Sequence, residues 1–361
     1  MHVLFLSCGQ GLSIPARLAQ EGHNVKTFIH NEDPQTGSGL YDRISSWRPY
    51  VNNSDIVIAD DPYFGYKEIR FEKAPTHVLG LSKFFTLGNQ NVGNKVALMK
   101  LTGLQLSNKT PDYYIEAWWN GRKWCTPFLQ LSYHWNLVSE ALGPRLGPMC
   151  TVAKVTEELP QSIFEGLRNL KSIFEKSRYR GPVRLGFDQR RLADIHVGFS
   201  FDSTEIFLES MQQDPLDILL EVAGGVRSEL NMIDNVYVSM RMQRIGWPTT
   251  KEHEIKGLFE ANVKHCGLVN VKYQKERYYA TQTFGPIIKV VARGDNSKNA
   301  FTRCARTLRN ITIEDAIYRI DLIDTYKTKD YPKFNEIAKI WKDTKAVSQT
   351  SVGGKSKSIP A

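Results

Sequence analysis

A strand, a glycine turn and a helix follow one another at the amino terminus, and this order restricts the folds open to the chain. His2–Ser7 is apolar and rich in β-forming residues, Gly9 and Gly11 follow, and residues 14–20 carry apolar side chains at helical spacing. Asn24–Ile29 predicts a second strand. Strands that alternate with helices form a parallel sheet, which binds ligands at the carboxyl ends of its strands. We therefore predict an α/β fold that begins with a Rossmann-like domain over residues 1–104.

The remainder of the chain predicts mainly antiparallel strands. The dipeptide Asn120-Gly121 is the strongest short hairpin signal, and residues 113–119 and 123–133 on either side of it have strand patterns. Residues 160–176 have the spacing of an amphipathic helix. Short apolar segments at residues 206–208 and 316–320 predict two further strands. The end of the chain predicts a short helix and a disordered tail that is rich in Ser, Gly and Lys.

Size and composition narrow the class of protein. The 361 residues predict two or three domains at about 150 residues each, and no run of about 18 apolar residues predicts a membrane span. The amino terminus has no signal-peptide pattern, so we expect a protein of the cytoplasm, of a cell or of a virus-infected host cell. The five cysteines are widely spaced, which argues against a disulfide framework or a zinc site.

The positive charge is concentrated at the carboxyl terminus. Of the formal net charge of +9, the segment from residue 326 to residue 361 contributes +5, with eight lysines against three acids. A lysine-rich tail attracts nucleic acid weakly and in a salt-dependent way. We therefore expect at most a weak nucleic-acid contact through this tail, and no membrane partner.

Several short motifs occur in the same order as in one enzyme family. They are the opening residues through Gly9, the hinge-like segment Ile115–Gly121, the position of His134, the loop Gly143–Met149, the segment Val263–Gly267 and the segment Ala316–Asp321. These motifs resemble those of phosphoribosylamine-glycine ligase, an ATP-grasp enzyme of purine synthesis. The resemblance runs in collinear order from residue 1 to about residue 324. It implies a reduced ATP-grasp domain over residues 113–235, a small β-rich domain over residues 236–325, and the helix and tail over residues 326–361.

The resemblance also implies an activity. In that family ATP activates a carboxylate as an acyl phosphate, which an amine attacks to form an amide, and Mg²⁺ neutralises the phosphates. It implies ATP and Mg²⁺ as cofactors and a nucleotide or an amino acid as substrate. Carried over by position, Glu116 and His134 would bind the nucleotide, and Asp194 and His196 would hold the metal.

Three further positions are candidates for binding the substrate. Gly9 and Gly11 lie in a turn before a helix, where backbone N–H groups can bind phosphate. Arg145, within the Gly/Pro-rich loop, could hold an anion.

Asp194 and His196 stand two apart on a predicted strand, so that both side chains leave the same face.

The sequence departs from the family at two places, and these leave alternatives open. Only eight residues, 105–112, precede the strand at Tyr113, where the family inserts a lid that covers ATP. The metal position that is Asn in the family is His196, a residue that suits softer metals better than Mg²⁺. The chain is therefore predicted to be a divergent ligase, or an inactive binding or scaffold protein, or a ligase that joins an amino acid to a modified nucleotide or DNA base.

Overall fold

A computed structural model describes residues 1–9, 11–30, 35–60, 77–80, 106–138, 142–244, 252–281, 285–342 and 346–347. The sequence pattern also predicts a helix near residues 92–102, and this segment and the tail from residue 348 lie outside these ranges. The helices are α1 Ser13–Gln20, α2 Gln161–Ser177, α3 Thr204–Ser210, α4 Pro215–Gly224, α5 Glu260–Val263, α6 Ser297–Asn310, α7 Ile320–Tyr326 and α8 Pro332–Lys342, with a 3-10 helix at Arg48–Asn53.

The strands are β1 His2–Ser7, β2 Asn24–Ile29, β3 Asp42–Arg43, β4 Ile56–Ala59, β5 His77–Leu79, β6 Tyr113–Trp119, β7 Trp124–Asn136, β8 Arg145–Thr156, β9 Leu159–Pro160, β10 Gly181–Asp188, β11 Arg191–Val197, β12 Val236–Arg244, β13 His253–Ile255, β14 Cys266–Leu268, β15 Val271–Gln274, β16 Arg277–Ala280, β17 Gly285–Gly294, β18 Ala316–Ile317 and β19 Ala346–Val347.

The amino-terminal sheet is parallel, as the strand and helix pattern predicts. Its strand order is β3-β2-β1-β4-β5, and every pairing in it is parallel. β1 and β4 lie at the centre and are almost completely buried, because a parallel sheet is covered on both faces. The parallel sheet predicted at the amino terminus is confirmed.

The second sheet is antiparallel along its main path, and the Asn120-Gly121 turn organises it. The order is β11-β10-β6-β7-β8-β12-β17-β14, with β18 beside β12. The Asn120 side-chain oxygen accepts hydrogen bonds from the N–H groups of Arg122 and Lys123, and Gly121 takes the positive φ of +92° that the turn requires. This turn sets the register of β6 against β7.

One sheet therefore spans two predicted domains. β8, from the segment 113–235, pairs with β12, from the segment 236–325, over five residue pairs. The predicted boundary at residue 235 thus lies inside a continuous sheet. Within the described residues, no helix has both the length and the apolarity needed to cross a membrane.

The two faces of the nine-stranded sheet differ in what covers them. Apolar residues from α2, α6, α7 and α8 pack on one face, which we call the helical face. The opposite face lies beneath α3, α4 and the amino-terminal sheet. Charged side chains from β10, β12 and β17 stand on this second face, which we call the polar face.

The short apolar segments were predicted less accurately than the long ones. Ile206–Leu208 was predicted as a strand but lies in the helix α3, and the predicted strand at residues 316–320 is reduced to the two residues of β18, with α7 after it. A run of three apolar residues has no measurable period, so it cannot distinguish a buried helix from a buried strand. In α3 six of the seven residues are buried.

The contact between α3 and β6 provides a test of this packing. Phe207 of α3 stacks on Trp118 of β6 with ring centroids 4.1 Å apart, and both side chains are buried. We expect Phe207→Ala to lower the free energy of unfolding by about 3–5 kcal/mol, because it leaves a cavity between two sheets. The matched change Phe259→Ala, at a side chain that is 65% exposed, should stay within about 0.5 kcal/mol. Urea unfolding of both variants tests this, and equal losses would contradict it.

Candidate functional site

Arg184 is the central cation of the polar face. It lies on β10 between Glu116 of β6 and His196 of β11, its two cross-strand neighbours. One guanidinium nitrogen, Nη1, donates hydrogen bonds to the hydroxyl of Tyr133, at 2.9 Å, and to the hydroxyl of Ser200. The guanidinium also lies over the rings of Tyr114 and Tyr133, 5.2 and 5.4 Å from their centroids. A buried cation is thus held by neutral oxygens and aromatic faces.

Glu116 faces the same cluster. Its carboxylate is buried and accepts a hydrogen bond from the hydroxyl of Ser203. Burial raises the pKa of Glu116, and the Ser203 hydrogen bond and the Arg184 charge oppose this rise only in part. The predicted nucleotide-binding Glu116 is therefore an acid that favours its neutral form more than an exposed glutamate does.

Asp202 connects Arg184 to a second cation. It accepts a 2.8 Å hydrogen bond from Nη2 of Arg241, on β12, and lies 3.9 Å from Nη1 of Arg184. Phe201, the preceding residue, covers both Arg241 and Lys289 with its ring. The loop before α3 therefore supplies both the counter-charge and the apolar cover of the cluster.

A buried ion pair ends this row of charges. Lys289, on β17, donates to both carboxylate oxygens of Glu205 in α3, at 3.0 and 3.1 Å, and both residues are buried. Burial lowers the pKa of Lys289, while the charge of Glu205 opposes the shift. Ser13, at the start of α1, also donates to Glu205, at 2.8 Å, so the pair connects the amino-terminal domain to the large sheet.

Asp194 and His196 lie on the polar face, at the cross-strand positions of Gly186 and Arg184. The ring nitrogen Nε2 of His196 is 3.2 Å from the carbonyl oxygen of Phe199. Burial, together with the charge of Arg184, lowers the pKa of His196 to about 4. The histidine is therefore neutral near pH 7 and has a backbone partner.

This pair does not fit Mg²⁺. Mg²⁺ requires a set of oxygen ligands, whereas one member of the pair is an imidazole, and the cation Arg184 is the cross-strand neighbour of His196. No group of three or more His, Cys, Asp or Glu side chains suited to a metal occurs in the part of the chain that is described.

His134 lies on the helical face, away from Glu116. The register pairs Glu116 with Leu129, so alternation places Tyr133 on the polar face and His134 on the opposite one. There the ring of His134 packs against Tyr326 and Tyr331, and burial lowers its pKa to about 4. The two residues predicted to share a nucleotide are not brought together, because a shift of one residue along a strand changes the face.

The glycine turn is occupied by an internal carboxylate. Asp60, at the end of β4, accepts hydrogen bonds from the N–H groups of Cys8 and Gly11, both at 2.9 Å, and from the hydroxyl of Ser7. Gly9, with a φ of +94°, donates to that same hydroxyl. Gly9, Gly11 and Asp60 thus lie together at this edge of the sheet, and the Gly11 N–H predicted to bind a phosphate donates to Asp60.

Arg145 is exposed at the first residue of β8 and pairs with Asn136. Two residues later, a Cβ atom on Gly147 would lie 3.0 Å from Nη1 of Arg241. The loop that contains Arg145 therefore leads to the polar face, although Arg145 itself stands at its exposed end. Its role in binding substrate stays a prediction.

Sequence reasoning did not select the cations that form the centre of the cluster. Arg184, Arg241 and Lys289 each stand between two apolar residues inside a strand. A charge within a buried strand is rarely found without a partner. That pattern was the available signal, because it indicates a charged group in the interior of the fold.

A separate open cleft of about 680 Å³ lies at the other end of the parallel sheet. Met1, Asn53, Asp55, His77 and Leu220 are among the residues that line it. It is found at the amino ends of β1 and β4, whereas ligands of such sheets bind at the carboxyl ends. We therefore place the candidate site at the polar face.

Comparison with known proteins identifies the fold. No protein-family model matches the sequence, and no curated protein matches it either. Among solved structures, the chain resembles phosphoribosylamine-glycine ligase from Thermotoga maritima, with a TM-score of 0.61, 15% identity, and coverage of 88% of this chain and 99% of that one.

Two further structures have the same architecture. The biotin carboxylase subunit of pyruvate carboxylase gives a TM-score of 0.56 at 10% identity, with 94% and 98% of the two chains covered. N5-carboxyaminoimidazole ribonucleotide synthetase from Thermotoga maritima gives 0.52 at 8% identity, with 86% and 99% covered. The chain therefore has a divergent ATP-grasp fold.

The buried histidine of the helical face makes stability dependent on pH. The folded pKa of His134 lies near 4, below its ordinary value of 6.5, so the unfolded chain takes up the proton first as pH falls. The contribution of the neutral His134 ring to the free energy of unfolding is complete above pH 6.5, its ordinary pKa. It decreases by about 1.4 kcal/mol per pH unit as the pH falls from there towards the folded pKa. We expect His134→Phe to lose less stability than the wild type between about pH 7 and about pH 5 in urea unfolding. Equal losses would show that His134 is not buried as a neutral ring.

The Lys289–Glu205 pair can be tested by a double-mutant cycle. We expect Lys289→Met alone to lower the free energy of unfolding by about 3–5 kcal/mol, because it leaves Glu205 buried without its counter-charge. Glu205→Gln added to it should recover part of this loss, since the amide carries no charge and still accepts from Ser13. Additive losses in urea unfolding would rule out direct coupling between the two side chains.

Proposed function

We propose that this chain, with its divergent ATP-grasp fold, binds an anionic small molecule at the polar face and does so without a metal at Asp194 and His196. The observation that carries the proposal is the presence of Arg184, Arg241 and Lys289 on one buried face. Asp202 lies 3.9 Å from Arg184 and 2.8 Å from Arg241, whereas Glu205 pairs with Lys289. Two guanidinium groups therefore share one carboxylate, which favours a carboxylate or a phosphate of a ligand as a further partner.

The choice of ligand class follows from the chemistry of Arg184. A guanidinium presents planar N–H donors that match the oxygens of carboxylates and phosphates. Its position as the cross-strand neighbour of His196 disfavours a divalent cation there through like-charge repulsion. A nucleotide or an amino acid is therefore the proposed class of ligand, and binding does not require Mg²⁺.

A second candidate function is ATP-dependent joining of a carboxylate to an amine. The observation that favours it is the similarity to phosphoribosylamine-glycine ligase over 99% of that chain, at a TM-score of 0.61. In this case Arg184 would offset charge on the phosphoryl group, and the amide formation of purine synthesis would be the closest reaction. The two candidates differ in one measurable respect, the requirement for Mg²⁺.

Thermal unfolding with ligand separates the candidates. We expect ATP in the presence of EDTA to stabilise the wild type, by about 2.7 kcal/mol at a concentration 100 times its dissociation constant. Glycine and ribose 5-phosphate test the other ligand classes in the same assay. Arg184→Gln should abolish the ligand-induced stabilisation and Arg184→Lys should keep part of it, while Arg168→Gln, at an exposed position of α2, should leave it unchanged.

The same samples, assayed for ADP release with amines and amino acids, test the second candidate. ADP release that requires Mg²⁺ would favour the ligase and overturn the proposed metal-free binding. The absence of stabilisation by all three ligands in the wild type would contradict binding at the polar face.

A further inference from the structure

Two arginines face one small space at the turn end of the β6–β7 hairpin, away from the polar face. Arg122 belongs to the turn itself, and Arg180 immediately precedes β10. A Cβ atom on Gly225, the residue that follows α4, would lie 3.8 Å from Nε of Arg122 and 3.8 Å from Cζ of Arg180. The missing side chain of Gly225 therefore leaves a cradle between two guanidinium groups.

Neither arginine has an acidic partner among the described residues. The acid of α4 nearest in sequence to Gly225, Glu221, forms its ion pair with Arg227. Burial lowers the pKa of Arg180, and the positive charge of Arg122 lowers it further. The fold thus holds two like charges close together, which is unfavourable unless an anion joins them.

The backbone fixes both arginines in place. The N–H of Arg122 donates to the Asn120 side chain, and the carbonyl of Arg180 accepts a 2.7 Å hydrogen bond from Gly80. Gly225 has a φ of +73°, and a Cβ there would lie 3.1 Å from the carbonyl oxygen of Asn120. Glycine at this position keeps the cradle open.

The carboxyl end of α4 stabilises the charge of the two arginines, but it does not supply acceptors for their guanidinium N–H groups. The negative end of a helix dipole stabilises nearby positive charge. The carbonyls of Glu221 and Val222, however, already accept backbone hydrogen bonds from residues 225–227. The guanidinium N–H groups are therefore available to an external acceptor.

We propose that Arg122, Arg180 and the cradle over Gly225 bind the phosphate group of a small molecule. Guanidinium groups donate paired N–H bonds to phosphate oxygens, and a doubly charged phosphate compensates two cations at once. This site is separate from the polar face, so it does not depend on the function proposed above. The phosphate can come from a free phosphorylated compound or from a nucleic-acid backbone, since both present the same oxygens.

Calorimetric titration of the full chain tests this site. The probes are inorganic phosphate, pyrophosphate and a short single-stranded oligonucleotide, with chloride at matched ionic strength as the reference anion. We expect Arg122→Gln and Arg180→Gln each to weaken phosphate or pyrophosphate binding at least about tenfold, the scale of one charge-assisted hydrogen bond. Arg168→Gln, which removes the same charge from an exposed part of α2, should leave the affinity unchanged.

Stability without ligand provides the second readout. Both variants should have a melting temperature at least as high as that of the wild type, because each removes one of two repelling charges. Affinity for the oligonucleotide that falls in parallel would identify a nucleic-acid backbone as the source of phosphate. Equal phosphate affinity in the wild type and both variants, or a loss of stability in both without ligand, would overturn the proposal. Both of these outcomes are independent of the Arg184 variants, which test ligand binding at the polar face.

Discussion

The burial of the Arg184 charge is the constraint on which the polar face depends. A guanidinium taken out of water requires hydrogen bonds and a counter-charge, which Tyr133 of β7 supplies together with Ser200 and Asp202 of the loop before α3. These requirements fix the loop before α3 against the sheet. Because Asp202 also binds Arg241, the same loop positions the second cation. Removal of Asp202 would take the shared counter-charge from both Arg184 and Arg241.

The same row of charges connects the two parts of the fold. Ser13 of the amino-terminal domain and Lys289 of the large sheet meet at Glu205 of α3. Apolar packing between Phe207 and Trp118 runs beside this polar connection. Apolar burial holds the layers together, and the buried pair Lys289–Glu205 adds a polar contact between them. The chain thus combines a divergent ATP-grasp fold with a row of buried charges on one face of its large sheet.

The candidate site was only partly predictable from the sequence. Asp194 and His196 do share a face, because alternation along a strand is a local property. His134 does not join Glu116, because its face depends on the register of β7 against β6, and one residue decides it. Gly9 and Gly11 meet Asp60 at the sheet edge, as parallel strands require, but the acceptor of the Gly11 N–H is the protein's own carboxylate.

The sequence by itself determined the parallel amino-terminal sheet, the Asn120-Gly121 hairpin and the long amphipathic helices, because each follows from periodicity or turn chemistry within a few residues. Only the tertiary structure decided which charges meet. Arg184, Asp202 and Arg241 lie on separate segments, and their contact depends on strand pairing over long sequence distances. The separation of Glu116 from His134 and the joining of two predicted domains into one sheet have the same origin, since pairing between distant strands has no local signal.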